Sequence, residues 1–393
     1  MTPMEPINLL DGRLYAGDPS PTYAWLRANA PVYRDEINGL WGVSRYADVM
    51  EVSRHPELFC SGQGSRPNLA GDPSMINQDA PRHTRQRGLV NKGFTPRRVA
   101  EHEPHIRQIA TQLIDAVAPI GRCDFVQDLA APLPMILIAE LLGVRTEDRR
   151  LLQHWSDEMI KGADGLDNVT PSVLAAFDEF VAYQRDVIAD RRRAPRNDLM
   201  TILVNAEIDG SRFENDEIIF ESLLLLVGGN ETTRNVISGA MEALIRHPEQ
   251  RAALRADPSA LPTAAEEFLR WVTPVLNMRR TATRDVELSG RTIRAGDQLL
   301  LLYGSANRDE TVFADPERFD VARQPNPHVA FGFGAHFCLG ASLARLEIRV
   351  MFEELLRRLP DIELVPGADV VRTPSSFIRG IHSMPVQFTP RGV

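Results

Sequence analysis

The sequence predicts a mainly α-helical fold with a minor β portion, built as a single domain over residues 1–393. Three observations carry that expectation. Apolar residues recur at three- and four-residue spacing over 106–117, 135–142, 173–193, 218–246, 263–271 and 339–359, the period of a helix with one buried face. Strand signals are short and local: 286–288 and 292–293 flank Ser289-Gly290 as a hairpin, 298–303 is an apolar strand, and 386–388 closes the chain. Neither an internal repeat nor a composition shift marks a second domain.

Taken in chain order, residues 1–21 are polar and contain Asp11, Arg13 and Asp18, so neither a signal peptide nor a membrane anchor is expected. Residues 61–81 and 162–171, rich in Gly, Pro and polar side chains, read as mobile loops. Asn215 and Asp216 are the candidate N-caps of the longest helix, which His247-Pro248 ends. The apolar run at 218–227 is interrupted by Glu221 and is too short to span a bilayer.

Hydrophobic residues make up 43% and charged residues 25% of the chain, an ordinary globular balance with room for an internal cavity. The net charge of −9 argues against nucleic-acid binding. Against that background, six cations (Arg82, Arg85, Arg87, Lys92, Arg97, Arg98) and the single acid Asp79 occupy residues 79–98, either a solvated helix face or a dock for an acidic partner. The three cysteines, Cys60, Cys123 and Cys338, are far apart and odd in number, which fits a reducing, cytoplasmic compartment.

Residues 331–340 read Phe-Gly-Phe-Gly-Ala-His-Phe-Cys-Leu-Gly. Three glycines let the backbone turn tightly and approach a flat ligand. A helix follows at once, so Cys338 sits near a helix N-terminus, where free N–H groups favour a thiolate and tune a metal-bound sulfur. Zinc is a poor rival, because His336 and Cys338 have no second Cys/His pair nearby. The decapeptide matches F-G-x-G-x-H-x-C-x-G at every fixed position, and on it the chain is identified as resembling the soluble bacterial cytochromes P450. That resemblance implies the family's single-domain fold around a buried haem b, with Cys338 as the iron ligand, Phe331 in the haem-binding loop and His336 on a haem propionate.

The long helix breaks its own rules in the middle. Gly228 and Gly229, each costing about 1 kcal/mol against alanine, precede the polar run Asn230-Glu231-Thr232-Thr233. The stretch is similar to the family's A/G-G-x-D/E-T-T, which crosses the distal face of the haem. There the glycines (Gly229 in the cofactor-binding set) leave space for oxygen, and Thr232 with Glu231 relays protons. A kinked or π-bulged turn is expected at this point.

Three further stretches fit the resemblance. His83-Thr84-Arg85-Gln86-Arg87 matches H-x-x-x-R and places His83 and Arg87 on one helix face toward a propionate. Arg280 stands where the family has a propionate-binding arginine, with Arg279 beside it as the alternative. Glu267 and Arg270 form E-x-x-R, and Asp315-Pro316-Glu317-Arg318-Phe319 resembles the segment that supplies a second arginine, which assigns Glu267, Arg270 and Arg318 to a buried structural triad.

The resemblance implies a monomeric haem-thiolate monooxygenase that inserts one atom of O₂ into a C–H bond of a hydrophobic small molecule. Electrons are expected from a separate ferredoxin and ferredoxin reductase, docked on Arg82, Arg85, Arg97, Arg98, Arg345 and Arg349. A peroxide-driven peroxygenase and a non-catalytic haem sensor are the alternatives, and the intact Glu231-Thr232 pair speaks against the first. Residues 275–278, 375–378 and 61–81 are the candidate substrate contacts, with Arg66 and Arg379 placed to meet a carboxylate. The wording around 123–135 and 229–235 looks most like actinobacterial enzymes that oxidise steroid side chains and methyl-branched lipids.

Overall fold

The structure is a computed structural model that describes residues 6–208 and 210–392; the extreme ends of the expected domain, residues 1–5 and 393, lie outside the described residues. All six expected helices are present: Glu103–Val117, Pro132–Leu141, Pro171–Arg193, Asn215–Arg246, Leu261–Val272 and Ala341–Arg358. Four of them begin two or three residues before the apolar periodicity because a proline occupies one of their first two positions. There its missing N–H costs nothing and its fixed φ suits the first turn. The last helix starts later than its pattern suggests, with Gly340 as N-cap, because Leu339 still belongs to the loop that carries Cys338.

Asn215–Arg246 is the axis of the molecule, about 48 Å long at 1.5 Å per residue. Its N-cap is Glu214, in a capping box with Glu217, and not Asn215 or Asp216 as expected. It packs against Pro132–Leu141, Arg149–Gly162, Leu261–Val272 and Ala341–Arg358. Two large apolar clusters fill the space around it, one on the side of Leu261–Val272 and Ala341–Arg358, the other on the side of Arg149–Gly162 and Pro171–Arg193. The helix stays α-helical through Gly228–Thr233, so the expected π-bulge is absent there. The Thr232 hydroxyl donates instead to the Gly228 carbonyl at 2.8 Å, a local bond that holds the side chain against its own helix. The π-helical turn of this chain lies elsewhere, at Phe125–Ala130, capped by the Asp124 carboxylate.

The β portion is larger than its sequence signal. A five-stranded sheet runs in the order Val32–Asp35, Leu40–Val43, Gln298–Leu302, Asn277–Ala282, Phe59–Cys60. Leu40–Val43 and Gln298–Leu302 pair in parallel and the other neighbours pair antiparallel. Val286–Leu288 with Arg291–Ile293 is the expected hairpin. The closing strand, Pro385–Gln387, lies between Glu363–Leu364 and Arg122–Asp124. The 61–81 segment is irregular apart from a 3₁₀ turn at Met75–Asn77, and it is fastened at several points: Asp79 accepts from the Ser61 and Gly62 amides, Asn77 from Ser65, and Glu221 from Met75.

The segment leading from the sheet to the cysteine loop has little regular structure, and a buried ion cluster holds it. Glu267 and Arg270 are fully buried and joined by two bonds of 2.7 and 2.8 Å. Arg270 also donates to the carbonyls of Asn307, Pro316 and Arg318, while Glu267 accepts from the Asp320 amide and the Asn326 side chain. The third member is Arg323, 3.2 Å from Glu267 with a side chain 9% exposed. Arg318, the expected member, has a side chain 64% exposed, faces Asp320 and contributes only its carbonyl oxygen. The chain brings the guanidinium in five residues later than expected because Asp315, at φ +45°, and the turn after it direct Arg318 to solvent.

Arg323→Ala should therefore destabilise the protein by about 1.5–3 kcal/mol, the range for hydrogen bonds to a charged group. Arg318→Ala should stay within about 0.5 kcal/mol of the parent. Denaturant midpoints of the two variants check the assignment, and equal midpoints contradict it.

Candidate functional site

One large cavity, about 1370 Å³ of empty space partly open to solvent, lies between the central helix and the cysteine loop. Its distal wall is the central helix, with Leu224, Leu225, Gly228, Gly229, Thr232 and Val236. The opposite wall is Phe331, Gly332, His336, Cys338 and Leu339, continued by the helix Ala341–Arg358. Cys338 and Thr232 thus face one space from opposite sides. Both glycines border it, but the open side belongs to Gly228: a Cβ there meets nothing within 4 Å, whereas one on Gly229 reaches the Ile138 side chain at 3.1 Å.

The cysteine loop takes its shape from two glycines. Gly332 and Gly334 have φ of +68° and +75°, and a Cβ on Gly334 would lie 2.5 Å from the Ser53 carbonyl oxygen, so other residues are excluded. The Cys338 amide closes the loop on the Phe331 carbonyl at 2.9 Å. Burial pushes the Cys338 thiol up, while the Gly340 amide, Arg87 and Arg345 oppose that shift. Arg345 stacks 4.6 Å over the Phe331 ring and is held by Glu266 at 2.7 and 2.8 Å.

Beside the loop is a cluster of basic groups. The His83 and His336 rings lie 4.1 Å apart. Burial, Arg280, His83 and Arg87 together press the His336 pKa down to about 2. His83 is also lowered, first by burial and then by Arg87, with Asp79 opposing, and its Nε2 is buried with no hydrogen-bond partner. Arg87 donates to the carbonyls of Ala335 and Phe337. Strand alternation separates the two candidate arginines. Arg279 spends its guanidinium on the Gln63, Gly64 and Leu69 carbonyls of the 61–81 segment, while Arg280 faces His336. His83, His336 and Arg87 line one edge of an apolar cavity, Arg280 is close enough to His336 to press its pKa down, and no carboxylate lines that edge among the described residues. That arrangement fits a large, flat, apolar group carrying acidic substituents at one edge and a metal at its centre, which is the shape and charge of haem.

Glu231 does not border the cavity. It is buried, and its carboxylate faces Arg234 and Asn230. Of the candidate substrate contacts, Met75, Ile76, Val275 and Met278 line the cavity, and Phe377 and Ile378 pack behind the last two. Arg66 and Arg379 do not. Arg66 lies over the Phe377 ring and donates to Asn277 and the Ala163 carbonyl, while Arg379 borders a separate small cavity with Asn235 and Glu242. The expected docking arginines are mostly paired: Arg82 with Glu217, Arg97 with Glu101, Arg345 with Glu266, and Arg349 with Glu103 and Glu353. Sequence reasoning missed Glu347, a buried acid on the cavity wall whose carboxyl burial pushes well above its usual value. Its signal was present, since the spacing of Leu343, Glu347 and Val350 puts it on the apolar face. None of the helices among the described residues is long and apolar enough to cross a membrane.

Comparison with known proteins agrees with this geometry. The chain is 48% identical over 387 residues to a steroid C26-monooxygenase of Mycolicibacterium smegmatis, covering 98% of this chain and 96% of the relative. It is 44% identical over 370 residues to a methyl-branched lipid omega-hydroxylase of Mycobacterium tuberculosis, covering 90% and 85%. A Mycobacterium marinum cytochrome P450 solved in complex with pseudoionone superposes with a TM-score of 0.90 at 38% identity, over 99% of this chain and all of the other. The cytochrome P450 family profile matches residues 163–388. With its glycine-shaped cysteine loop, its long helix across the cavity and relatives of nearly its full length, the chain belongs to the cytochrome P450 family, whose cofactor is a haem-thiolate iron.

Proposed function

We propose that this protein is a monooxygenase that places one oxygen atom of O₂ on an aliphatic carbon of a steroid side chain or a methyl-branched lipid. The observation that carries the reading is the large cavity with Cys338 on one wall and Gly228 and Thr232 on the other. In this reading Cys338 ligates the iron of haem b, and His83, Arg87, Arg280 and His336 hold its propionates. Phe331 and Gly229 pack against the macrocycle. The bound haem would supply oxygen activation, with thiolate donation promoting O–O cleavage.

The protein's own residues do the rest. Met75, Ile76, Leu224, Val275 and Met278 give the substrate an apolar wall and exclude water, so a hydrophobic chain is held by burial alone and its reacting carbon is placed by shape. The Thr232 hydroxyl, now on the Gly228 carbonyl, is a polar group on the distal wall able to pass a proton into the cavity, with Glu231 beside it in sequence as the acid of the relay. The relatives are named as a steroid C26-monooxygenase and a methyl-branched lipid omega-hydroxylase, which supports the same substrate class here.

Electrons come from a separate ferredoxin and its reductase. The sequence has no cysteine cluster to hold an iron–sulfur centre of its own. Next to Cys338 the surface carries exposed Phe333 and Phe337. With the nearby arginines paired to acids, docking there depends more on apolar contact than a basic stripe would.

Thr232→Ala tests the reaction. It should bind substrate as the parent does, while product formed per electron consumed falls by on the order of tenfold and the difference appears as hydrogen peroxide. Unchanged coupling contradicts the relay. A spectral-shift screen across steroids, fatty acids, terpenes and small aromatics should give its tightest binding with steroids or branched lipids bearing a free aliphatic end. Preference for small aromatics contradicts the substrate reading.

A further inference from the structure

A second, smaller cavity holds about 300 Å³ of empty space, partly open to solvent. Asn235 and Glu242 of the central helix line it, with Trp271, Val272, Arg372 and Arg379. It shares no lining residue with the large cavity. Its polar groups are unevenly matched. Glu242 already accepts from Arg372 at 2.6 and 2.8 Å and from Arg246 at 3.0 Å. Arg379 has neither an ion pair nor a side-chain hydrogen bond among the described residues. Asp18 and Glu242 feel its charge without pairing with it. Burial, followed by Arg308 and Arg372, presses the Arg379 pKa down to about 10, while Tyr23 and Glu242 oppose. Asn235 is 1% exposed, and both its amide nitrogen and its amide oxygen are buried with no hydrogen-bond partner.

A buried donor and a buried acceptor left unpaired carry their full desolvation penalty, which native proteins seldom leave standing. The guanidinium beside them adds a positive charge with no counter-charge in contact. Water can satisfy the Asn235 amide, but it cannot balance Arg379. Meeting all three groups takes a ligand with negative charge for Arg379, an acceptor for the Asn235 NH₂ and a donor for its carbonyl oxygen.

We propose that this cavity binds a small oxyanion carrying an O–H group, with bicarbonate the smallest member of the class and 2-hydroxy carboxylates the next. The planar Arg379 fork takes two carboxylate-type oxygens side by side. The Asn235 amide donates to one of those oxygens and accepts from the hydroxyl. The site stands apart from the proposed reaction, yet it lies against the substrate wall. The Arg379 amide donates to the Pro274 carbonyl at 2.9 Å, and Val275 is bridged to Ile378. Pro274 and Val275 line the large cavity, so whatever fixes Arg379 against the central helix bears directly on that wall.

The test titrates the holoenzyme with bicarbonate, glycolate, acetate and chloride, reading calorimetric heats and the thermal midpoint. Bicarbonate and glycolate should bind saturably at one site and raise the midpoint. Acetate, which lacks the hydroxyl, should bind on the order of tenfold more weakly, the worth of one buried hydrogen bond. Arg379→Gln should abolish binding of all four anions, and Asn235→Ala should bind glycolate and acetate alike. If bicarbonate and glycolate leave the parent's midpoint unmoved, or raise it equally in Arg379→Gln, the cavity holds water only and the proposal is wrong. Chloride binding as tight as bicarbonate would mean that the site recognises charge alone, which also overturns it. Should either variant fail to fold, a crystal of the parent soaked in glycolate decides the matter. Density for the acid on Arg379 and Asn235 supports the proposal, and ordered water in its place contradicts it.

Discussion

The buried Glu267 carboxylate is the point on which the rest of the site depends. It gathers Arg270, Arg323, the Asp320 amide and the Asn326 side chain, and Arg270 in turn gathers three carbonyls from the segment between Asn307 and Arg318. Residues 307–330 have almost no regular structure of their own to hold them. Yet they deliver the cysteine loop to one wall of the cavity. A buried charge with every lone pair satisfied is costly to disrupt, because removing one partner strands the others in a low-dielectric interior. The cluster thus does for this loop what a sheet does for a strand, and leaves Gly332 and Gly334 free to set its curvature.

The cavity divides its physics by region. The edge near His83 and His336 is electropositive, and its groups hold one another's pKa values down. The remaining walls are mostly apolar, with Thr232, Thr233 and Glu347 among the exceptions. Charge at one edge orients a flat acidic cofactor, and the apolar walls accept whatever hydrophobic molecule fits beside it. In the proposed reading, the only polarity required over the reacting atoms is the Thr232 hydroxyl. Glu231, the acid of the relay, points behind the helix and not into the substrate's space. Keeping the two apart lets the substrate side stay dry.

The sequence was most informative where one rule acts alone. Six helices follow from apolar spacing, and the cysteine loop follows from residue types that serve no other purpose together. The strand Asn277–Ala282 was hidden because its buried positions include Arg279 and Arg280, and Arg279 is satisfied by carbonyls distant in sequence. Arg323 was missed for Arg318 because the turn after Asp315 decides which guanidinium points inward, and side-chain direction in an irregular segment has no period. The heading of Glu231 was equally illegible. Motif spacing places it beside Thr232, but whether it faces the cavity or Asp157 depends on a helix more than seventy residues earlier in the chain. The pairing of the docking arginines was illegible for the same reason, since a local count of cations is blind to the acids that meet Arg345 and Arg349 from other elements.

The claim beneath all of this is that Cys338 supplies a thiolate to haem iron. Cys60 lies in a strand beside Thr281 and Cys123 in a strand beside Val386, and neither borders the cavity. The direct measurement is the absorption spectrum of the reduced, carbon-monoxide-bound holoprotein for the parent and for Cys60→Ala, Cys123→Ala and Cys338→Ala. The account predicts the red-shifted Soret band of thiolate ligation in the first three and its loss in Cys338→Ala alone. A red-shifted band that survives in Cys338→Ala contradicts it.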